Sequence, residues 1–178
     1  MVTADVSVRV AWPADSAAIA DVQARAWRRQ YDDASLAVLD DEAGRDALAD
    51  AWRASLSRPP EARHRAMVAL VHDTVVGFAL TVPAADPDAD PARDGEVREF
   101  TIDPDKTRAG HGSRLLQACA DTLEADRFAR AVCWVGSTDD ELRAFLTGAG
   151  WAPDGASREL ADEAGRTIKQ VRLHTSLA

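Results

Sequence analysis

Hydrophobic residues recur along the chain with two different spacings, and the changes of spacing mark out strands and helices. Short apolar runs and two-residue alternation predict strands at 6–10, 66–71, 75–82, 96–102, 131–135, 157–161 and 167–175. Spacings of three and four predict helices from about 13 to about 31, at 42–57, at 112–126, and from 138 to the glycines near 150. The chain therefore mixes the two kinds of element throughout, without internal repeats.

The segments between these elements carry turn and cap signals. Residues 72–74 separate two apolar runs and predict a tight hairpin, and residues 163–165 predict the turn between the last two strands. Residues 83–95 are rich in Asp, Pro and Ala without periodicity, which predicts a long surface loop. Thr138 and Glu141 have the spacing of a capping box at the start of the last helix.

The strand at 96–102 breaks the two-residue alternation. Its apolar residues Val97, Phe100 and Ile102 include one spacing of three, which an extra residue in a β-bulge would produce. A bulge would turn the strand away from its neighbour and leave backbone groups in need of another partner. An ordinary edge strand with imperfect alternation has the same pattern, so both interpretations stay open.

The same strand leads into a glycine-containing turn at 107–112 and then into a helix. Backbone N–H groups at such a helix start lie at the positive end of the helix dipole and suit a phosphate or pyrophosphate. A dinucleotide fingerprint would need a third glycine where Leu115 stands, and the Gly-Lys-Ser/Thr of a Walker loop does not occur in the sequence. The turn therefore predicts a phosphorylated ligand of another class.

Composition and charge limit the number of domains and the kinds of partner that we expect. With 178 residues and 46% hydrophobic content, we expect one domain over 1–178. No apolar run reaches membrane-spanning length, and Asp5 interrupts the start of the chain, so we expect a soluble, cytoplasmic protein without a membrane partner. The net charge of −9 argues against nucleic-acid binding, because the phosphate backbone would be repelled.

The cysteines and histidines do not form a ligand pattern. Cys119 and Cys133 fall at positions where small buried side chains belong, which favours packed free thiols in a reducing compartment. The four histidines are scattered through different elements without carboxylate or cysteine neighbours at ligand spacing. We therefore expect no structural metal.

The glycine turn resembles the signature of the GNAT superfamily of N-acetyltransferases. That signature is Gln or Arg, two variable residues, Gly, one variable residue, and Gly or Ala at the start of a helix after a splayed strand. Gly110 and Gly112 match it, while Thr107 stands at the first position and Arg108 follows. The resemblance covers nearly the whole chain and implies an α/β (α+β) fold, with a mixed, mostly antiparallel central sheet whose central strands splay apart between flanking helices.

The resemblance implies direct transfer of an acetyl group from acetyl-CoA to a primary amine of a small molecule or peptide. It places pantetheine against the unpaired backbone of the bulged strand, and it also allows a homodimer. The backbone near 100–102 would polarise the thioester carbonyl. The residues that it implies for cofactor binding are Phe100, Thr101, Ile102, Thr107, Arg108, Ala109, Gly110, His111, Gly112, Ser113 and Asp139.

The resemblance also implies proton-transfer residues. Glu96 has the strand position where some relatives carry a catalytic glutamate base, and Glu99 is the alternative because the position of the bulge decides which carboxylate enters the cleft. Many relatives place a tyrosine after the phenylalanine of the last helix, whereas here Leu146 follows Phe145. Tyr31, the only tyrosine, is the candidate proton donor, and water is the alternative.

Two questions of function stay open at this point. The intact turn beside the missing tyrosine is also compatible with a GNAT domain that binds acyl-CoA for a regulatory or structural role with little turnover. The acidic loop at 83–95 can be a solvated surface loop or can lie near a cationic acceptor. The acceptor itself is not specified by the sequence.

Overall fold

The protein is described here by a computed structural model over residues 5–31, 34–161 and 165–177. The strands are β1 (Val6–Val10), β2 (Arg65–Val71), β3 (Thr74–Pro83), β4 (Asp94–Ile102), β5 (Arg130–Gly136), β6 (Ala152–Ala161) and β7 (Thr167–Ser176). The α-helices are α1 (Ser16–Gln30), α2 (Glu42–Ser57), α3 (His111–Ala125) and α4 (Asp140–Gly148). Short 3-10 helices occupy Pro13–Asp15, Ala34–Asp40 and Pro104–Lys106.

The seven strands form one sheet in the order β1-β2-β3-β4-β5-β7-β6. All neighbouring pairs are antiparallel except β4 and β5, which are parallel. The parallel pairing covers only the first three residues of each strand, from Asp94↔Arg130 to Glu96↔Val132, and the two strands then diverge. The predicted mixed, mostly antiparallel sheet with splayed central strands is confirmed, and we call the opening between β4 and β5 the fork.

Helices cover both faces of the sheet. On one face, which we call the α1 face, Trp52 of α2 packs edge-on against Phe78 of β3 at 5.1 Å between ring centroids. On the opposite α3 face, Leu115 and Cys119 of α3 pack against Val97 and Cys133. Strand residues alternate between the two faces. The core on both sides therefore fixes which residues of β4 and β5 face which way.

The predicted bulge lies in β4. Phe78 of β3 pairs with Thr101 and Leu80 pairs with Arg98, so β4 has one residue more than β3 over this stretch. Glu99, inside the stretch, has a φ of 54°, in the left-handed region that side chains other than glycine seldom adopt. The extra residue explains the spacing of three between Val97 and Phe100, and it occurs where β4 leaves β5.

Two local predictions need correction. β6 begins at Ala152, five residues before the predicted strand, because a register shift between Pro153 and Ser157 accommodates turn-forming residues within the strand. The last helix is capped by Asp139, whose carboxylate accepts from the Leu142 amide at 3.1 Å, and not by Thr138. The predicted turn at 163–165 lies largely outside the described residues.

Candidate active site

The glycine turn ends with a backbone that only glycine adopts at low cost. Gly110 has a φ of 80° and precedes α3, whose first residue is His111. The amide of Arg114 is the first in the helix to bond back, to the Gly110 carbonyl at 3.2 Å. Within the described part of the chain, the amides of His111, Gly112 and Ser113 have no hydrogen-bond acceptor. Three N–H groups at the positive end of the helix therefore remain available for an anion.

The turn lies over the open end of the fork. A Cβ built on Gly112 would lie 3.3 Å from Cζ of Phe145 and 3.7 Å from Cγ1 of Ile102, so the start of α3 is pressed against α4 and the end of β4. The rings of Phe145 and Phe100 stack with centroids 5.7 Å apart. This packing joins both sides of the fork beneath the free amides.

Basic and buried groups surround the turn. Lys106, Arg108 and Arg114 are exposed, and the Arg114 guanidinium folds back within 3.5 Å of the Ala109 carbonyl. His111 is buried, and its Nδ1 atom has no hydrogen-bond partner among the described residues. The turn thus combines free amides with local positive charge in a chain that is acidic as a whole.

The two candidate bases point in different directions because the bulge separates them. Val97 belongs to the α3 face, so Glu96 and Arg98 project from the α1 face. Glu96 is only 2% exposed, and a terminal nitrogen of Arg98 donates to one of its oxygens at 3.0 Å. The Nε atom of Arg98 lies 2.9 Å from the other oxygen in an ion-pair contact. The negative charge of Glu96 is therefore already neutralised within the strand.

Glu99 differs from Glu96 in its exposure to solvent and in its hydrogen-bond partners. Its side chain reaches solvent, but surrounding protein atoms partly desolvate the carboxylate and raise its pKa, while the charge of Arg98 acts in the opposite direction. No described residue donates a hydrogen bond to its carboxylate. Glu99 is therefore a carboxylate with increased proton affinity and free oxygens.

Tyr31 lies at the end of α1, near the same part of the fork. Desolvation raises the pKa of its phenol, and the negative charges of Asp139 and Glu99 raise it further. The structure therefore brings Tyr31, Glu99 and Asp139 within electrostatic range of one another. Asp139 is engaged as the cap of α4, which makes its carboxylate part of the local structure as well as a predicted cofactor contact.

A network of arginines and aspartates on the α1 face was missed by the sequence predictions. Arg172 of β7 is only 4% exposed and makes hydrogen bonds to Asp86, Asp88 and Asp154 at 2.6 to 3.1 Å. These contacts fix the acidic loop 84–93 onto β6 and β7. The sequence did contain a signal for this network. In the predicted strand 167–175, Arg172 shares one face with Gln170 and His174, so that face carries polar side chains where a buried strand would carry apolar ones.

Trp134 of β5 completes this network beside the fork. Its indole Nε1 donates to both oxygens of Asp86 at 3.1 Å, and the guanidinium of Arg158 stacks on its ring at 4.2 Å. A cavity of about 400 Å³ opens between this network and the segment around His64, and Arg98 and Asp86 contribute to its wall. Asp86 is the residue that this cavity shares with the network, and we call the cavity and the adjoining arginine-rich surface together the recess.

Other kinds of site find little support in the part of the chain that the structure describes. Within residues 5–31, 34–161 and 165–177, no three His, Cys, Asp or Glu side chains are grouped in a way that would hold a metal ion. No helix in these ranges has the length and apolarity needed to cross a membrane. Cys119 and Cys133 are free and buried, and burial raises the pKa of each thiol to about 12.

Solved structures with the same architecture are acetyltransferases. YncA of Salmonella typhimurium, described as an acetyltransferase with its cofactor acetyl-CoA, is 18% identical and has a TM-score of 0.69, with 98% of this chain and 95% of that chain covered. PaiA N-acetyltransferase of Thermoplasma acidophilum, in complex with coenzyme A, is 13% identical with a TM-score of 0.70, and 96% and 98% are covered. At these identities the likeness establishes the fold.

A third structure is the ribosomal-protein-S18-alanine N-acetyltransferase of Escherichia coli, which is 16% identical with a TM-score of 0.65 and coverage of 97% of this chain and 94% of that chain. No curated protein sequence matches the chain at a significant level. The sequence profile of the Acetyltransferase (GNAT) family matches residues 18–151, which include the fork, the bulge and the glycine turn. The chain belongs to the GNAT family of acetyltransferases.

Proposed function

We propose that the protein is an N-acetyltransferase that transfers an acetyl group from acetyl-CoA to a primary amine by direct attack. The observation that carries the proposal is the set of three free amides, of His111, Gly112 and Ser113, at the open end of the fork. A diphosphate bound there would direct the rest of the coenzyme into the opening between β4 and β5. The unpaired side of β4 beyond Glu96 offers backbone groups for it.

The residues around the turn fit such a donor. Free N–H groups and exposed basic side chains suit the diphosphate, and the absence of a side chain at Gly112 lets the start of α3 lie against the fork. Two of the structurally similar proteins are solved with acetyl-CoA or coenzyme A. The proposed contacts are Phe100, Thr101, Ile102, Thr107, Arg108, Ala109, Gly110, His111, Gly112, Ser113 and Asp139.

We assign the general base to Glu99 and keep Glu96 as the alternative. Glu99 has free oxygens and a raised pKa, which makes its carboxylate a stronger base near neutral pH. Glu96 would have to give up its ion pair and its hydrogen bond with Arg98 to accept a proton. The ammonium proton of the acceptor thus goes to Glu99, after which the amine nitrogen forms the bond to the acetyl carbon.

The C–S bond then breaks as the nitrogen loses its second proton, and the departing thiolate takes up one proton. The second nitrogen proton replaces, through solvent, the one that the donor gives to the thiolate. We assign the proton donor to Tyr31, whose raised pKa keeps the phenol protonated at neutral pH. Phe145 is followed by Leu146, which has no proton to give. Water remains the alternative donor, and the Tyr31→Phe variant would distinguish the two because it leaves only water.

The test is release of free coenzyme thiol from acetyl-CoA with a panel of primary amines, together with the rise in melting temperature that acetyl-CoA causes. Transfer requires both a rise in melting temperature and amine-dependent thiol release. A rise without release for any amine would support instead a domain that binds acyl-CoA for regulation or assembly. Absence of both would contradict the proposal. The proposed setting is a single cytoplasmic domain, with homodimer formation open to measurement by sedimentation.

A further inference from the structure

The guanidinium of Arg158 is held in place and is only partly neutralised. It stacks on Trp134, and its Nε donates to Gln170 Oε1 at 2.7 Å. A terminal nitrogen lies 3.8 Å from Asp86, which is beyond hydrogen-bond distance. Within the described residues, the two terminal nitrogens therefore have no hydrogen-bond acceptor. They are donors whose nearest carboxylate, Asp86, is an ion-pair contact that accepts no hydrogen bond from them.

Arg172, on the neighbouring strand, is an arginine whose charge is neutralised, and it serves as a comparison for Arg158. All three of its nitrogens donate to aspartates, and together these bonds raise its pKa. The pKa of Arg158, in contrast, is lowered, first by desolvation and also by the positive charge of Arg98, although Glu96 and Asp86 act in the opposite direction. Arg158 is therefore a cation whose desolvation the nearby carboxylates of Glu96 and Asp86 offset only in part.

The recess around Arg158 is near the point where acetyl transfer would occur. Arg158 pairs with Gln170, which lies on the α1 face two residues from Arg172. Arg172 pairs with Trp134 of β5, which lies two residues past the point where β5 separates from β4. The 400 Å³ cavity is lined by Arg98 and Asp86 and not by Arg158 itself, but Asp86 lies 3.8 Å from Arg158. A small acceptor that extends from this cavity past Asp86 would meet Arg158 beside the fork.

The carboxylates of the recess are already engaged. Asp86 accepts from Trp134 and Arg172, and Glu96 accepts from Arg98. Arg172 also lowers the pKa of Asp88 to about 2 through the hydrogen bonds that it donates. A cationic group would have to displace one of these arginines, whereas an anion would find free donors on Arg158.

We infer that the acceptor is a small amine that also carries a carboxylate, such as a free amino acid, and that Arg158 binds this carboxylate while the amine faces the fork. The inference rests on the proposed acetyl transfer. The planar guanidinium matches a carboxylate in the bidentate manner that arginine favours, and its stack on Trp134 limits the freedom lost on binding. Arg158 is thus a specificity residue for the acceptor.

The kinetic test compares matched acceptors at saturating acetyl-CoA. Free amino acids, their carboxamides and the corresponding decarboxylated amines differ in the carboxylate and in the pKa of the amine, so rates are compared per unprotonated amine. We expect kcat/KM to be about 10- to 100-fold higher for the acids, as for a charged hydrogen-bonded pair. Arg158→Met should raise KM for the acids by a similar factor and KM for the carboxamides by much less, with KM for acetyl-CoA unchanged, and Arg158→Lys should restore part of the affinity.

Lys169→Met is the matched control, because it removes one positive charge from the same hairpin on the opposite face, next to Gln170. Its acceptor KM should equal that of the unmodified protein. Melting temperatures of all variants report whether the loss of the Trp134 stack disturbs folding. Equal kcat/KM for acids and carboxamides would overturn the inference, and so would an Arg158→Met variant with unchanged KM.

A binding measurement separates this inference from the proposed function. N-acetylated amino acids and their amides are titrated calorimetrically into the protein with coenzyme A. Tighter binding of the acids that disappears in Arg158→Met supports the carboxylate site even if no acetyl transfer is ever observed. Transfer to amines without a preference for acids supports the function and overturns the site. If no acid is either bound or acetylated, the site is overturned as well.

Discussion

Arg98 donates a hydrogen bond to one carboxylate oxygen of Glu96, two residues earlier on the same strand, and its Nε forms an ion-pair contact with the other oxygen. The pair lies on the α1 face at the closed end of the fork, and the bulge immediately after it directs Glu99 elsewhere. One inserted residue thus gives neighbouring glutamates two different roles. Glu96 holds a cation in the recess, and Glu99 is left with a free carboxylate.

Glu96→Gln is expected to lower the free energy of unfolding by about 1–2 kcal/mol, because it leaves the partly exposed Arg98 without its counter-charge. Urea unfolding measures the change. A double-mutant cycle with Arg98→Gln isolates the interaction energy. If the two single changes are additive, the pair contributes nothing and the assignment of Glu96 to structure is wrong.

Glu99→Gln is expected to lower kcat by about 100-fold or more if Glu99 is the base. The raised pKa of Glu99 sets the pH dependence: the rate falls as the pH decreases through that pKa, which lies above the ordinary 4.5, because the protonated carboxyl accepts no proton. This acidic limb of the kcat/KM profile should disappear in Glu99→Gln. If the acidic limb persists in Glu99→Gln and disappears in Glu96→Gln, the base is Glu96 and not Glu99.

Gly110→Ala tests the turn through its backbone. The φ of 80° costs a residue with a side chain about 1 kcal/mol, and distortion of the turn is expected to weaken acetyl-CoA binding by about tenfold or more. Gly150→Ala is the matched control, since its φ is 95° and a Cβ there meets no atom within 4 Å. Calorimetric titration should show weak binding only for the first variant, while both lose stability.

Arg25→Met tests the link between α1 and the segment that leads to the turn. Arg25 pairs with the buried Asp103 at 2.7 Å. Desolvation acts to raise the pKa of Asp103, but hydrogen bonds from Arg25 and from the Asp105 amide outweigh it and lower the pKa below 3.8. The stabilisation is therefore fully present above the ordinary pKa and is lost as the pH falls through the lowered one.

We expect Arg25→Met to cost about 1–3 kcal/mol at pH 7 and progressively less below about pH 4. Urea unfolding of both proteins across this range measures the difference. Arg53→Met, which breaks an exposed pair with Asp50, is the control and should cost less than about 0.5 kcal/mol at any pH. A pH-independent cost for Arg25→Met would show that packing and not charge makes the link.

The sequence predicted the parts of the site that depend on local pattern. The spacing of Val97 and Phe100 indicated the bulge because the pleat has a fixed period of two. The turn was predictable because few residues other than Gly110 accept its backbone conformation. Local pattern left open which glutamate enters the cleft, since that depends on the place of the extra residue in the register with β3.

The arginine network was beyond such reasoning. Asp86 and Arg172 are 86 positions apart in sequence and meet only because β7 inserts between β5 and β6. The early start of β6 was missed because Pro153 and Gly155 are turn formers, and the sheet tolerates them through a register shift. Both the arginine network and the start of β6 depend on pairing between strands that are distant in sequence, which local residue preferences do not predict.

Arg172 holds the 84–93 loop against the final hairpin, and this hairpin lies beyond residue 151, where the family match ends. A protein shortened to the matched region would keep the coenzyme turn and lose the wall that carries Arg158. Such a fragment would be the wrong material for substrate screening, because it would lack the hairpin that carries Arg158, the proposed specificity residue for the acceptor.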